Sequence, residues 1–158
     1  VDQAWSRLDP LAPPDRATHA RWAHEAWTAE QAWTGNPGDG RTAARLGDLR
    51  FLLGAPEDAA AWYERAFAAD PGLRTAERLA RHGTALLHLE RNREAKAALD
   101  EALARDPENG RALLSSAAYE ADISGNRAAA LDLLHRAAAT GQVRVPPDFR
   151  AALEHDLN

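Results

Sequence analysis

Apolar and small residues recur along this chain with helical rather than strand spacing. From Pro56 to Ala69, the residues Ala59, Tyr63, Ala66 and Phe67 stand at i, i+4, i+7 and i+8, one stripe of a 3.6-residue helix. From Arg93 to Arg105, Ala95, Ala98, Leu99, Ala102 and Leu103 repeat the stripe, and Glu94, Asp100, Glu101 and Arg105 are left for water. Asp70-Pro71-Gly72 and Asp106-Pro107 end these helices, because proline disfavours helical backbone in the residue before it and often opens the next helix. Ahead of them Ser6 to Pro14 holds three prolines and predicts no helix. Asp15 to Thr34 has uninterrupted helical composition, with Asp15 as its cap and a break at Gly35-Asn36-Pro37-Gly38-Asp39-Gly40. Trp22, Ala26, Ala29 and Trp33 share one face of that helix, while Ala20, Ala23 and Trp27 lie well round from it, so its apolar arc is wide. At the far end Val143-Arg144-Val145 predicts an extended link, and Pro146-Pro147-Asp148 starts a last helix. Phe149, Leu153 and Leu157 form its narrow apolar stripe, and Arg150, Glu154, His155 and Asp156 give it the polar outer face of a cap.

Two stretches of this pattern have one length. Gly40 to Leu73 and Ala76 to Asn109 each span 34 residues and align on their Asp-Pro pairs. They share small Gly47 and Gly83, then Ala59 and Ala95, bulky Tyr63 and Leu99, Ala66 and Ala102, and Pro71 and Pro107. This resembles the tetratricopeptide repeat, whose pattern W-x2-L-G-x2-Y is followed by A-x3-F and a closing Pro; Leu46-Gly47 matches the L-G pair outright. The first copy departs at Ala43 and Arg50, where Trp and Tyr are usual, and the second at Leu79, His82 and Leu86. A looser third copy begins near Gly110, with Leu113 or Leu114 opening it and Ala117 or Ala118 as the small contact. Its second helix carries Ala130, Leu134 and Ala137 after a one-residue slip near Gly125-Asn126. The resemblance implies an all-α fold, an α-α superhelix (solenoid) of about three helical hairpins with an extra helix at each end. The expected organisation is a single domain over residues 1–158. It divides into an N-terminal extension and helix (1–39), repeats at 40–73 and 74–109, a divergent repeat at 110–141, and a capping helix at 146–158.

Composition points the same way. The 158 residues include 37 Ala and 20 Leu against four Val and Ile together, too few β-branched residues for a sheet. No stretch approaches the roughly 18 to 20 apolar residues of a membrane span, and no signal-peptide pattern opens the chain. Direct membrane insertion is therefore not expected, and the chain reads as soluble and cytoplasmic by default. The absence of Met, position one included, reads as a processed chain or an excised piece, so an exported or periplasmic location stays open if a targeting segment was removed. A net charge of −5, from 24 acidic residues against 18 Arg and the single Lys96, disfavours nucleic acid and anionic membranes as partners. The Arg-over-Lys bias with abundant Ala reflects a GC-rich genome of bacterial type. With no Cys there is no disulfide, thiolate metal site or thiol nucleophile.

A search for chemistry finds no catalytic, cofactor or metal pattern. Neither His19/His24 nor His82/His88 has the i, i+4 spacing of a helical zinc pair. His82 stands at a core Leu position and reads as a hydrogen-bonded packing residue. The glycine-rich turn at 35–40 follows a helix and lacks the ending of a phosphate loop, Ser115-Ser116 lacks a nucleophile-elbow context, and paired acids such as Glu57/Asp58 and Asp100/Glu101 fall on exposed faces.

The resemblance implies instead a binding module, in which the first helix of each repeat lines a concave groove. That selects Arg41, Arg45, Asp48 and Phe51 in the first repeat, and Glu77, Arg81, Thr84, Leu87 and His88 in the second. Arg111, Ser115 and Asp122 follow in the third. Arg41, Arg45, Arg81 and Arg111 suit charge-assisted bonds to the acidic side chains or terminal carboxylate of a partner protein or peptide. The plain alternative is solvated Arg balanced by nearby acids. Ala44 and Asp48 stand where chaperone-binding members carry Lys and Asn, which disfavours chaperone tails as partners. The expected function is a non-enzymatic scaffold or adaptor that holds a partner peptide or helix in the groove, with no cofactor. The alternative is a self-assembly unit, or a fragment of a larger repeat protein. It would form a homo-oligomer in which Trp5, Trp22, Trp27 or Trp33 fills a pocket on a second chain. Against it stands the simpler packing of this helix on the first repeat, with Trp27 partly exposed.

Overall fold

The computed structural model describes residues 15–155, which form eight α-helices and no strand. Trp5, the stretch Ser6 to Pro14, Asp156 and Leu157 lie outside the described residues. The helices are α1 (Arg16–Gly35), α2 (Gly40–Leu52), α3 (Pro56–Ala69), α4 (Ala76–His88), α5 (Asn92–Arg105), α6 (Gly110–Tyr119), α7 (Arg127–Thr140) and α8 (Pro147–His155). A 3-10 turn at Pro71–Leu73 links α3 to α4, and a π-helical turn, Glu120–Ser124, continues α6.

Short connections make α2–α3, α4–α5 and α6–α7 antiparallel hairpins. The first two close around a glycine. The Tyr63 ring lies over Gly47, with Cδ1 at 2.6 Å from where a Cβ would sit, and Leu99 Cγ approaches Gly83 in the same way at 2.7 Å. The hairpins stack so that the first helices α2, α4 and α6 neighbour one another, and α3 and α5 pack on the following α4 and α6. One core of Ala, Leu, Tyr63 and Phe67 runs from α2 to α8, which closes the far end with buried Phe149 and Leu153. This is an α-solenoid, because no single hairpin could bury both of its apolar faces.

At the near end α1 packs on α2. Trp22, Ala26, Ala29 and Trp33 meet Leu46 and Leu49, and Trp33 stands edge-to-face on Trp62 with ring centres 5.2 Å apart. Asp15 caps the helix by accepting from the Thr18 N–H at 2.7 Å. Arg50, where the repeat pattern has Tyr, pairs with Glu30 of α1.

The slip in the third repeat has a structural cause. At the end of α2 the Ala55 N–H bonds to the Arg50 carbonyl, and at the end of α4 the Arg91 N–H bonds to that of Leu86, five residues apart in both cases. In the third hairpin the Asn126 N–H reaches the Glu120 carbonyl, six residues back, at 2.8 Å. One extra residue has entered the last turn of the first helix and is absorbed as π-helix. Gly54 and Gly125 take the left-handed backbone these turns need, with φ of 73° and 72°, whereas the second turn places Glu90 there at φ 59°.

His82 packs as the Leu it replaces, its ring centre 5.9 Å from Tyr63 and 5.6 Å from Phe67. The expected hydrogen bond is not there, since Nε2 is buried without one and lies 3.7 Å from Glu64 Oε1. Burial lowers the His82 pKa below the ordinary 6.5, against the pull of Glu64 and with help from Arg91 and Arg74. A depressed folded-state pKa means stability that is complete above the unfolded value near 6.5 and is lost as pH falls through the folded one. The thermal midpoint is thus expected to fall more between pH 7.5 and 5 in the native chain than in His82→Leu, read by helical circular dichroism; equal falls would show that His82 does not titrate within the fold.

Candidate functional site

The residues expected along the groove fall into three environments. The first is a ladder of contacts between consecutive first helices. Asp48 of α2 accepts from the Tyr63 hydroxyl at 2.8 Å and pairs with Arg78 and Arg81 of α4, both at 3.2 Å. One hairpin further on, Thr84 of α4 meets Ser115 of α6 at 2.7 Å, while its own proton goes to the Ala80 carbonyl at 2.8 Å. Asp48 and Thr84 hold equivalent places in their repeats, as do Arg81 and Ser115, so each first helix sets the same position against the next. Asn109 completes the pattern. Its amide donates to Glu77 at 3.0 Å, and its carbonyl oxygen caps α6 at Ala112.

Thr84 and Ser115 were expected on the groove surface, and here the structure corrects the sequence: they are 0% and 1% exposed and spend their hydroxyls joining α4 to α6. Leu87 is buried too, as are Asp48, Phe51 and Arg111, each no more than 9% exposed.

The second environment is the strip of first-helix side chains over that ladder. The Arg81 guanidinium lies 5.9 Å and that of Arg111 4.8 Å from the centre of the Phe51 ring, so one aromatic side chain carries cations from two successive repeats. Burial works against the charge on Arg81, yet Tyr63, Asp48 and Glu77 hold its pKa above the ordinary guanidinium value. Burial, reinforced by the charge of Asp48, pushes the Tyr63 phenol well above its usual 10. Both groups keep one charge state across the physiological range. Half-buried His88 ends α4 beside a cavity of about 490 Å³ between the α2–α3 and α4–α5 turns, and Asp122 falls on the exposed π-helical turn.

The third is the start of α2, where Arg41 and Arg45 project beside α1 and Arg45 pairs with Glu25 at 2.6 Å. Of the tryptophans, Trp22 and Trp33 turn inward onto α2, and Trp27 is 57% exposed, stacked on His24 with ring centres 6.1 Å apart. The sequence reading overlooked Arg78. Its signal was a basic residue three positions before Arg81, which brings both to Asp48 across one helix–helix contact.

Among the described residues no cluster of His, Asp and Glu could hold a metal ion, and no helix is long and apolar enough to cross a membrane. Stacked helical hairpins sharing one core define a class, the α-solenoid. The family model for the tetratricopeptide repeat matches residues 76–109, which are α4, α5 and the turn after them, so this hairpin carries the repeat. Among solved structures, the crystal structure of MamA is similar in fold. It superposes with a TM-score of 0.64 at 18% identity, over 79% of this chain and 71% of that one. No curated protein matches the chain in sequence.

Proposed function

We propose that the protein is a non-enzymatic scaffold or adaptor whose concave face, formed by α2, α4 and α6, holds a peptide or helix of a partner protein. The observation that carries this reading is the ladder of Asp48–Arg81 and Thr84–Ser115, which locks three first helices side by side, so the face needs little ordering when a partner arrives. A partner with acidic residues fits its charge. Arg78, Arg81 and Arg111 stand there against Asp48 and Glu77, and the guanidinium groups are held in place by Phe51 and by those acids. Arg41 and Arg45 extend the basic surface at its near end, and His88 lies at its edge.

A charge-assisted hydrogen bond contributes about 1.5 to 3 kcal/mol, so Arg81→Glu is expected to weaken the best binder from an array of acidic 12-residue peptides at least about tenfold. Affinity is read by fluorescence anisotropy, with helicity checked alongside; unchanged affinity in a folded variant would remove Arg81 from the site. Self-assembly is the second reading. It rests on exposed Trp27, and a light-scattering mass that rises with concentration would support it.

A further inference from the structure

The turn from α1 into α2 repeats three backbone hydrogen bonds of the turn from α5 into α6. Asn36 N–H to Ala32 and Asp39 N–H to Asn36 correspond to Asp106 N–H to Ala102 and Asn109 N–H to Asp106, and Ala43 and Leu113 then open their helices from the same place. The α1 helix is therefore the second helix of a hairpin, with Thr28, Ala29 and Ala32 where α5 has Ala98, Leu99 and Ala102. On α5 those three are at most 7% exposed, because α4 covers them. On α1, Thr28 and Ala32 are exposed and Ala29 is half-buried; no described residue does for them what α4 does for α5.

The adjoining face of α2 shows the same lack. Thr42 and Arg45 hold the places that Arg78 and Arg81 hold on α4, the two residues that grip Asp48 of the preceding first helix. Covered in that way, Arg81 is 23% exposed in its side chain; Arg45, in the equivalent place, is 56% exposed. Between the two faces lies an open cavity of about 450 Å³, walled by Glu25, Thr28, Ala29 and Ala32 on one side and Arg41, Thr42 and Arg45 on the other, with Glu25 paired to Arg45 across it. A first helix in the usual register would need the residues just before α1. Those from Arg16 onward already belong to α1, and Pro10, Pro13 and Pro14 precede them.

We propose that this crease is a helix seat filled in trans by an amphipathic helix of a partner protein. Charge and shape specify the occupant. Arg41 offers a guanidinium to a carboxylate, and Arg45 can turn from Glu25, its partner at 2.6 Å, to meet the same group as Arg81 meets Asp48. Ala29 is small where Tyr63 and Leu99 are bulky, so the residue opposite it is large where α2 and α4 have Gly47 and Gly83. The seat shares Arg41 and Arg45 with the near end of the concave face but none of Phe51, Arg78, Arg81 and Arg111, so Arg81→Glu tests that face without touching the seat.

The probe is a side-chain-stapled, fluorescein-labelled peptide of residues 40–54 carrying Gly47→Leu, added to the full chain. Saturable binding is expected, weakened about tenfold or more by Asp48→Asn in the peptide or Arg45→Ala in the chain, and recovered when Asp48→Arg in the peptide meets Arg45→Glu in the chain. Unchanged helicity of the Arg45 variants shows that the fold is intact. No saturation at about 1 mM peptide, or indifference to both charge changes, would overturn the seat. Binding seen only after residues 1–14 are removed would give it to the chain's own first residues. A dimer lost on Arg45→Ala would give it to a second copy, and either result would overturn a partner helix as the occupant.

Discussion

Replacing Tyr63 with alanine is expected to destabilise the first repeat by about 4 kcal/mol, several times the cost of Tyr63→Phe. Tyr63 is fully buried, stacks on Phe67 at 5.8 Å and fills the space directly over Gly47. Alanine leaves that volume empty between α2 and α3, whose backbones are held apart by the rest of the hairpin. Phenylalanine keeps the ring and loses only the bond from the hydroxyl to Asp48. That change costs about 1 to 2 kcal/mol, because Asp48 retains Arg78 and Arg81. Urea unfolding followed through tryptophan emission reports on the right place, since Trp33 and Trp62 touch at this repeat. In a stacked array the loss should also be local, with α1 to α3 releasing before the later hairpins. Equal costs for the two variants would mean that the hydroxyl, not the ring, holds the hairpin.

How much of this was legible in the chain depended on the distance over which the signal acts. The hairpins were legible because their cause is local: Ala59, Tyr63 and Ala66 recur with helical period, Gly47 and Gly83 mark close approach, and Asp-Pro pairs stop the helices. The ladder was not. Asp48 and Arg81, or Thr84 and Ser115, are more than thirty residues apart, and only the rotation between stacked hairpins decides which position of one helix faces which of the next. Sequence therefore placed Thr84 and Ser115 on a surface, when the stacking buries them. The one-residue slip was visible near Gly125-Asn126 but lies earlier, in Glu120–Ser124, because Asn126 is pinned as the cap of α7 and the surplus moves back into the helix before it. For α1 the residue pattern predicted a helix packed on the first repeat. Its role as half of a hairpin lay in the likeness of Asn36-Pro37 to Asp106-Pro107, which means little until the hydrogen bonds of the two turns are compared.

The second hairpin makes a sharper test of close approach, because its bulky residue is a flexible Leu rather than a bonded Tyr. A Cβ added at Gly83 would lie 2.7 Å from Leu99 Cγ and 2.8 Å from Cδ2, contacts that force Leu99 or the helix pair to move. Gly83→Ala is thus expected to cost about 2 kcal/mol, although alanine alone would favour the helix by about 1 kcal/mol. Leu99→Ala, which opens a cavity at a residue 1% exposed, is expected to cost about 3 kcal/mol. The double variant should not add these. With Leu99 truncated, both colliding atoms are gone and the new methyl group enters the vacated space, so the pair is expected near 3 kcal/mol, a favourable coupling of about 2 kcal/mol. What remains near the added atom is the Ala95 carbonyl at 3.3 Å, which belongs to the backbone of α5 and moves only with the helix. Strict additivity in urea unfolding would therefore mean that the backbones of α4 and α5 set the closest approach and Leu99 merely fills what they leave. Strong coupling would mean that side-chain volume sets it, and that the glycine is required by its neighbour rather than by its own conformation.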